Sequence, residues 1–584
     1  MALTILHFND VYNIEGQRDE PCGGAARMKS YIKSQQHLQP LVLFSGDALN
    51  PSLMSIFLKG EQMIPVLNEL GVAAAVYGNH DFDFGVDHLE DVAEQCKFPW
   101  LLSNVNDMVN NEPLAQGRPQ VVIEHSGIKI GIIGLVEKEW IDTLSTLDPA
   151  DVLFSDFVQV GRDMASDLRR SGAQLIVALT HMRVPNDEKL AQDVDGIDLI
   201  LGGHDHDYEI IQVKDRYVIK SGTDFRNMSK LTLIQNSKHT WDVSVERVDL
   251  TSSIPEDAHM KKLVSEKLAS VEGKMDTYLG YMNVEMDGRF SSIRTQETNL
   301  GKISTDTLSH VIGNFITDVI LTATKADCAL LNSGTFRSDR IHPKGEFVIR
   351  DLLTILPMVD SLVVIKITGS QLLEALENAV SKYPVKEGRF PQVAGISFGF
   401  DPTHPPGKRV GHALVKVQDE YIDPFKDYQL ATKEYLALGK DGYDVFKQCP
   451  VLITAEECPS LSTMVQNHFE AVQIFLGERH CKSGHRQSLV SLKRREEFIR
   501  QHSVDNSKKK LNKLVRQESI QVLESEQCFL TPRVEGRIYI LTEEKRHVMM
   551  SLMPNAMVHH LSAVREESSS MSCTSLSSQA SDET

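Results

Sequence analysis

Five apolar runs, each stopping at a polar cluster able to hold a metal ion, constrain this chain more than any other feature. Leu3-Thr4-Ile5-Leu6-His7-Phe8 leads into Asn9-Asp10-Val11-Tyr12, and Leu41-Val42-Leu43-Phe44 leads into Gly46-Asp47. Residues 73–77 lead into Gly78-Asn79-His80-Asp81-Phe82-Asp83. Residues 175–179 lead into Thr180-His181, and 197–201 into Gly202-Gly203-His204-Asp205-His206. With a further run at 128–133, these continuous apolar segments alternate with helical stretches. That pattern predicts an α/β layered fold with a mostly parallel or mixed sheet. In such folds the chemistry collects in loops at the carboxyl ends of strands.

Taken singly, the clusters say little. A Gly-Asp after a strand is usually a turn, and a lone histidine such as His181 is usually a satisfied core residue. Gly-Asn-His-Asp and the two imidazoles at i and i+2 in Gly-Gly-His-Asp-His are harder to explain by packing. Five in this order argue for a metal centre. Carboxylate, amide and imidazole donors together suit hard or borderline divalent ions. Two such ions, about 3.5–4 Å apart, need a bridging carboxylate.

The 584 residues predict two or three domains. With 41% hydrophobic and 24% charged residues, disorder over the whole length is excluded. No apolar run reaches the length of a membrane-crossing helix, so no membrane partner is expected. A net charge of −19 argues against nucleic acid as a partner, because phosphate backbones attract Lys and Arg. The 8 cysteines are scattered with no C-x-x-C pair, which suggests neither a zinc ribbon nor a disulfide framework. The first strand begins almost at Met1 with no basic leader before it, so a cytoplasmic location is the expectation.

Along the chain, 1–254 forms the first expected domain and 255–324 a helical linker region. A second α/β domain follows over 325–545, with strands at Ala329-Leu330-Leu331 and Leu362-Val363-Val364-Ile365. A basic insertion spans 478–528; residues 478–516 hold 12 Lys and Arg against 4 Asp and Glu. It reads as a solvated insertion or, alternatively, as a docking site for an acidic protein partner. Residues 546–584 end in a Ser- and Glu-rich stretch with few large apolar groups and are expected to be disordered.

The motif series resembles the calcineurin-like metallophosphoesterases, and the two-domain length resembles their 5′-nucleotidase branch. The likeness covers roughly residues 3–450 and again 531–541, where Thr531-Pro532-Arg533-Val534-Glu535-Gly536-Arg537-Ile538 is similar to the family's closing segment. It implies a four-layer sandwich followed by a smaller α/β specificity domain. Carried over residue by residue, it implies Asp10, Asp47, Asn79, His181, His204 and His206 as ligands of two divalent ions (Mn, Zn, Mg, Co or Fe), with Asp47 bridging. His80 and Asp83 match the catalytic dyad of the family's G-N-H-[DE]-F-D motif. One departure stands out: the family's Asp-x-His is Asp10-Val11-Tyr12 here. A phenol, with an ordinary pKa of about 10, is a poorer ligand than imidazole near neutrality. Either Tyr12 is a weak ligand or Asn13 or water completes that site.

In the second domain, Glu297-Thr298-Asn299-Leu300-Gly301 resembles the family's linker. Asn332-Ser333-Gly334-Thr335-Phe336-Arg337 resembles its N-x-G-x-x-R, with Arg337 a fork for a phosphate or base edge. Phe390, in Arg389-Phe390-Pro391-Gln392-Val393-Ala394-Gly395, and Tyr435 match the two jaws of a base-stacking clamp. Asp441 matches the acceptor of the ribose hydroxyls. Without the resemblance, both aromatics read as core residues. Where the family carries Pro-Phe-x-Asn, this chain has Pro357-Met358-Val359-Asp360, an added carboxylate unfavourable to an anionic substrate. The implied activity is hydrolysis of nucleoside monophosphates. The alternatives are a sugar-phosphate or cyclic-nucleotide phosphoesterase on the same scaffold, and a non-catalytic binding or scaffold protein.

Overall fold

The computed structural model describes residues 2–295 (apart from 109, 145, 238 and 239), 310–483 (apart from 419), 485, 489 and 536–551. Strands β1 (Ala2–Phe8), β2 (Leu41–Phe44), β3 (Val72–Val76) and β4 (Trp100–Leu101) run parallel in one six-stranded sheet. Two antiparallel strands, Asn227–Gln235 and Trp241–Asp249, extend its other edge. The second six-stranded sheet is built on parallel β5 (Ile128–Val136), β6 (Leu175–His181), β7 (Leu199–Gly203) and β8 (Arg216–Ser221), with an antiparallel strand at each edge. β2, β6 and β7 are buried at every position, as strands covered on both faces must be. All five sequence clusters therefore lie at carboxyl ends of parallel strands.

The second domain centres on a five-stranded sheet in which Cys328–Asn332 runs parallel to Asp427–Lys433 and antiparallel to Pro391–Ala394. Asn332 pairs with Pro391. The loops carrying Arg337, Phe390 and Tyr435 thus emerge at one edge.

Two boundaries differ from the sequence expectation. Residues 255–324 are not purely helical: Tyr278–Met282 pairs antiparallel with Gly345–Val348 and so belongs with the second domain. A helix over Glu543–Ser551 crosses the expected start of the tail. Helix Leu461–Leu476 starts at Ser460, whose hydroxyl accepts from the Thr463 amide, and stops at Gly477 in the left-handed region. It joins the two halves. Asn467 donates to the Asp83 carbonyl at 2.6 Å, and Glu470 pairs with Lys59 and with Arg479. One apolar core runs from Leu3 and Phe8 through Ile316 to Met464 and Phe469.

The 297–301 linker motif, most of the basic insertion, residues 531–535 and residues 552–584 lie outside the described residues. No described helix is long and apolar enough to cross a membrane.

Candidate active site

The site begins with backbone strain. Asp10 (φ 50°), Asp47 (φ 61°), His204 (φ 82°) and Asp224 (φ 58°) all occupy the left-handed region. There a non-glycine residue costs about 1–2 kcal/mol. Hydrogen bonds hold the turns in place. Asp81 accepts from the amides of Gly78, Asp47, Ala48 and Leu49, so one buried carboxylate ties the β2 loop to the β3 loop. At Gly78 an added Cβ would fall 2.1 Å from Asp47 Oδ1, and at Gly203 it would fall 2.7 Å from His181 Nδ1. Only glycine lets these loops converge.

The structure brings the predicted donors from both sheets into one pocket. Asp10, Asp47 and His181 present ligand atoms within 4.8 Å of one another. His181 Nδ1 is engaged by the Ser45 carbonyl at 2.8 Å, which leaves Nε2 free of hydrogen bonds and 3.2 Å from Asp47 Oδ2. His204 Nδ1 lies 3.1 Å from Asn79 Oδ1, and His206 Nε2 lies 3.6 Å from Asp10 Oδ1. Burial opposes charge on Asp10, yet His206, His181 and Asn9 hold it well below the carboxylate range. Two buried carboxylates facing an orphaned imidazole nitrogen form a donor set that calls for a cation. The residues fit a pair of divalent ions.

His80 Nδ1 lies 2.8 Å from Asp83 Oδ2, and Asn50 donates to the same oxygen at 2.6 Å. Burial alone would lower the His80 pKa, but the Asp83 and Asp47 charges raise it to about 10. His80 Nε2 meets the Glu456 carbonyl at 2.6 Å, so a loop of the second domain sits on the dyad. Its neighbour Glu457 pairs with Arg183, which also binds Glu137 at 2.7 Å. Glu137, His204 and Glu457 form a second buried cluster with ligand atoms within 4.8 Å.

Several functional residues escaped the sequence reading. Lys220 is fully buried beneath the Gly-Gly-His-Asp-His turn, where it pairs with Asp187 at 2.7 Å and Asp205 at 2.9 Å and donates to the Gly203 carbonyl. A lone lysine in a strand carries no sequence signal of that role. Asp81 and Asn9 lie inside the quoted motifs and were legible as neighbours of ligands. Glu456 and Glu457 come from a distant part of the chain and were not.

At the edge of the second domain, Asn332 donates to Asp441 Oδ2 at 2.8 Å and Tyr435 donates to Asp441 Oδ1 at 3.1 Å. Tyr435 is 44% exposed, and Arg337 is close enough for its charge to act on the phenol. Phe390 differs: its ring is only 3% exposed and lies 6.3 Å from the Phe400 ring, although its carbonyl accepts from Ser333 beside the cluster. Asp360 is not a free negative charge, because Lys433 pairs with it at 2.7 Å.

The calcineurin-like phosphoesterase family matches residues 3–208, and the 5′-nucleotidase C-terminal domain matches residues 278–448. Mouse 5′-nucleotidase is 28% identical over 494 residues, covering 76% of this chain and 84% of that protein. The trifunctional nucleotide phosphoesterase protein YfkN of Bacillus subtilis is 26% identical over 501 residues; the match spans 76% of this chain but only 32% of that protein. The structure of Haemophilus influenzae NAD nucleotidase shares the fold, with a TM-score of 0.66 at 22% identity over 80% of this chain and 96% of that one. Both domain matches fall on the halves that build the metal pocket and the Tyr435–Asp441 cluster, and the chain belongs to the 5′-nucleotidase family of metal-dependent phosphoester hydrolases.

Proposed function

We propose that the chain hydrolyses nucleoside 5′-monophosphates to nucleosides and phosphate. The observation that carries this reading is the convergence of the Asp10, Asp47, Asn79, His181, His204 and His206 donors beside the His80–Asp83 dyad. Asp10, Asp47 and His206 would hold one ion, and Asp47, Asn79, His181 and His204 the other. When bound, two such ions make water acidic enough to attack at neutral pH and offset charge on the phosphoryl oxygens. Asp83 fixes the His80 ring and favours its protonated form, so His80 Nε2 holds the proton for the leaving oxygen or a phosphoryl oxygen. That same Nε2 now meets the Glu456 carbonyl, and substrate must displace this contact.

Tyr435 is the exposed aromatic on which a base stacks, Asp441 accepts from the ribose hydroxyls, and Arg337 faces the phosphate or base edge. Phe390 meets them through its backbone carbonyl, which accepts from Ser333. The Asp360 carboxylate, unfavourable to an anionic substrate, is paired with Lys433. The scattered cysteines are the ground for placing this activity in a reducing, cytoplasmic setting.

A phosphate-release screen over nucleoside monophosphates, cyclic nucleotides and sugar phosphates, run with Mn²⁺, Zn²⁺, Mg²⁺ and Co²⁺, tests the reading. Tyr435→Ala is expected to cost about 1–3 kcal/mol in kcat/KM for nucleotides, the worth of base–aromatic stacking. It should leave a small base-free ester unaffected. Equal losses on both substrates would refute the clamp. Faster turnover of sugar phosphates by the unaltered protein would replace the substrate class.

A further inference from the structure

Two neighbouring residues of the 454–460 loop place oxygen atoms against His80 and Arg183. The Glu456 carbonyl lies 2.6 Å from His80 Nε2 and 3.5 Å from Asn79 Nδ2. The Glu457 carboxylate faces Arg183, with Oε1 3.7 Å from Nη1. An oxygen of that carboxylate also lies within 4.8 Å of a ring nitrogen of His204, so it stands at the rim of the ion pocket.

Arg183 is anchored at one end and loosely held at the other. Its Nε lies 2.7 Å from Glu137 Oε1, while its own backbone amide and the Asn186 side chain donate to Glu137 Oε2. Glu137 is buried, so these contacts fix the guanidinium. The two Nη groups have only distant partners among the described residues. Nη1 is 3.7 Å from Glu457 and Nη2 is 3.5 Å from the exposed Glu139, both beyond the usual hydrogen-bond range of about 2.7–3.2 Å. The side chain is 38% exposed. Neutralising Glu137 takes Nε alone and leaves the Nη fork for another anion. On the far side of the pocket the donors are already engaged. The Tyr12 hydroxyl donates to Asp10 and Asp47 at 3.2 and 3.3 Å, and Asn13 donates to Asp224.

We infer that Arg183 binds the phosphoryl group of the substrate and that Glu457 competes with that group for it. This rests on the hydrolase reading above. The planar fork suits two phosphoryl oxygens at once, and its fixed charge offsets the charge those oxygens carry in the transition state. Entry of the phosphoryl group exchanges one anion for another at the Nη atoms. It also exchanges the Glu456 carbonyl for a phosphoryl oxygen at His80 Nε2. The two displaced oxygens belong to adjacent residues, so one movement of the loop releases both.

The test uses full-length protein loaded with the ion that best supports phosphate release. It measures calorimetric binding of inorganic phosphate and hydrolysis of a nucleoside monophosphate. Arg183→Gln should weaken phosphate binding and lower kcat/KM by about 10–100-fold each, the effect of losing a charge-assisted hydrogen bond. Glu457→Gln keeps a side-chain acceptor for the Thr454 amide and should tighten phosphate binding about 2–5-fold, the range for a partly exposed ion pair. Arg183→Lys keeps a cation against Glu137 without the fork, so it should stay folded and metal-loaded yet bind phosphate more weakly than the unaltered protein. Thermal melts and metal analysis accompany each variant. If Arg183 only latches the two domains, Arg183→Gln and Glu457→Gln break the same pair and move phosphate affinity in the same direction, which would overturn the inference. Folded, metal-loaded Arg183→Lys that binds phosphate as the unaltered protein does would overturn it too, leaving the hydrolase reading intact. Unaltered protein that holds metal but neither binds phosphate nor releases it from any ester would overturn both.

Discussion

Asp47 and His80 lie one loop apart and do different work, which makes them separable by substitution. Asp47 lies in a strained turn with its carboxylate grouped with Asp10 and His181, so Asp47→Asn is expected to abolish hydrolysis and strip metal, measured by phosphate release and metal analysis. The ring nitrogens of His80 bond Asp83 and the Glu456 carbonyl, and only its backbone amide reaches a metal donor, Asp47. His80→Ala should keep its metal and lose about 10²–10⁴-fold in kcat, the range for a positioned proton donor. His7 offers a pH test. Fully buried between Ser45 and Ser221, it is held neutral by burial and by the nearby Lys220 charge, its pKa pushed down to about 3. The unfolded chain takes up a proton below about 6.5 where the folded one does not, so stability should fall as pH drops from 6.5 towards 3. Denaturant midpoints of His7→Gln at equal metal load should fall less steeply over that window. At this scale most of the site was legible, because metal chemistry requires few residue types and they follow strands in order. What distant residues do to them was not: that Lys433 neutralises Asp360, or that Phe400 covers Phe390, depends on tertiary contacts between segments far apart in the chain.

At the scale of elements, the loop at 454–460 and helix Leu461–Leu476 deliver the second domain onto the first. The Thr454 amide donates to Glu457 at 2.7 Å, and Glu457 reaches Arg183, so the loop is folded on itself as well as docked. Because His80 Nε2 cannot serve Glu456 and a phosphoryl oxygen together, ligand should loosen the loop. Amide hydrogen exchange across 454–460 is expected to quicken when metal-loaded protein is given inorganic phosphate. Unchanged protection would mean that the carbonyl contact persists with ligand bound. The buried strands were readable because β2, β6 and β7 each open with an unbroken apolar run. Tyr278–Met282 was not. Its burial follows no regular alternation, it is only 5 residues long, and its pairing with Gly345–Val348 is set far along the chain.

For the whole molecule, the continuous core means that the halves are not independent. Residues 1–254 alone would uncover the face that carries Asn50, Lys59 and Asp83, each of which binds helix Leu461–Leu476. That fragment is expected to melt lower and to hold less metal per chain than the full protein, and to recover both when 255–584 is co-expressed. Equal melting and metal content would show that the first domain closes its own site. The architecture also imposes an order in time. The strands bearing the metal donors are complete by Ser221, yet the helix that braces Asp83 is not made until Leu476. At about 5–20 residues per second, the ribosome needs on the order of ten seconds or more to cover that gap. During it, the nascent first domain carries a bare metal pocket and an uncovered apolar face. The newborn chain must therefore be protected from aggregation or mismetallation for as long as its second half takes to arrive.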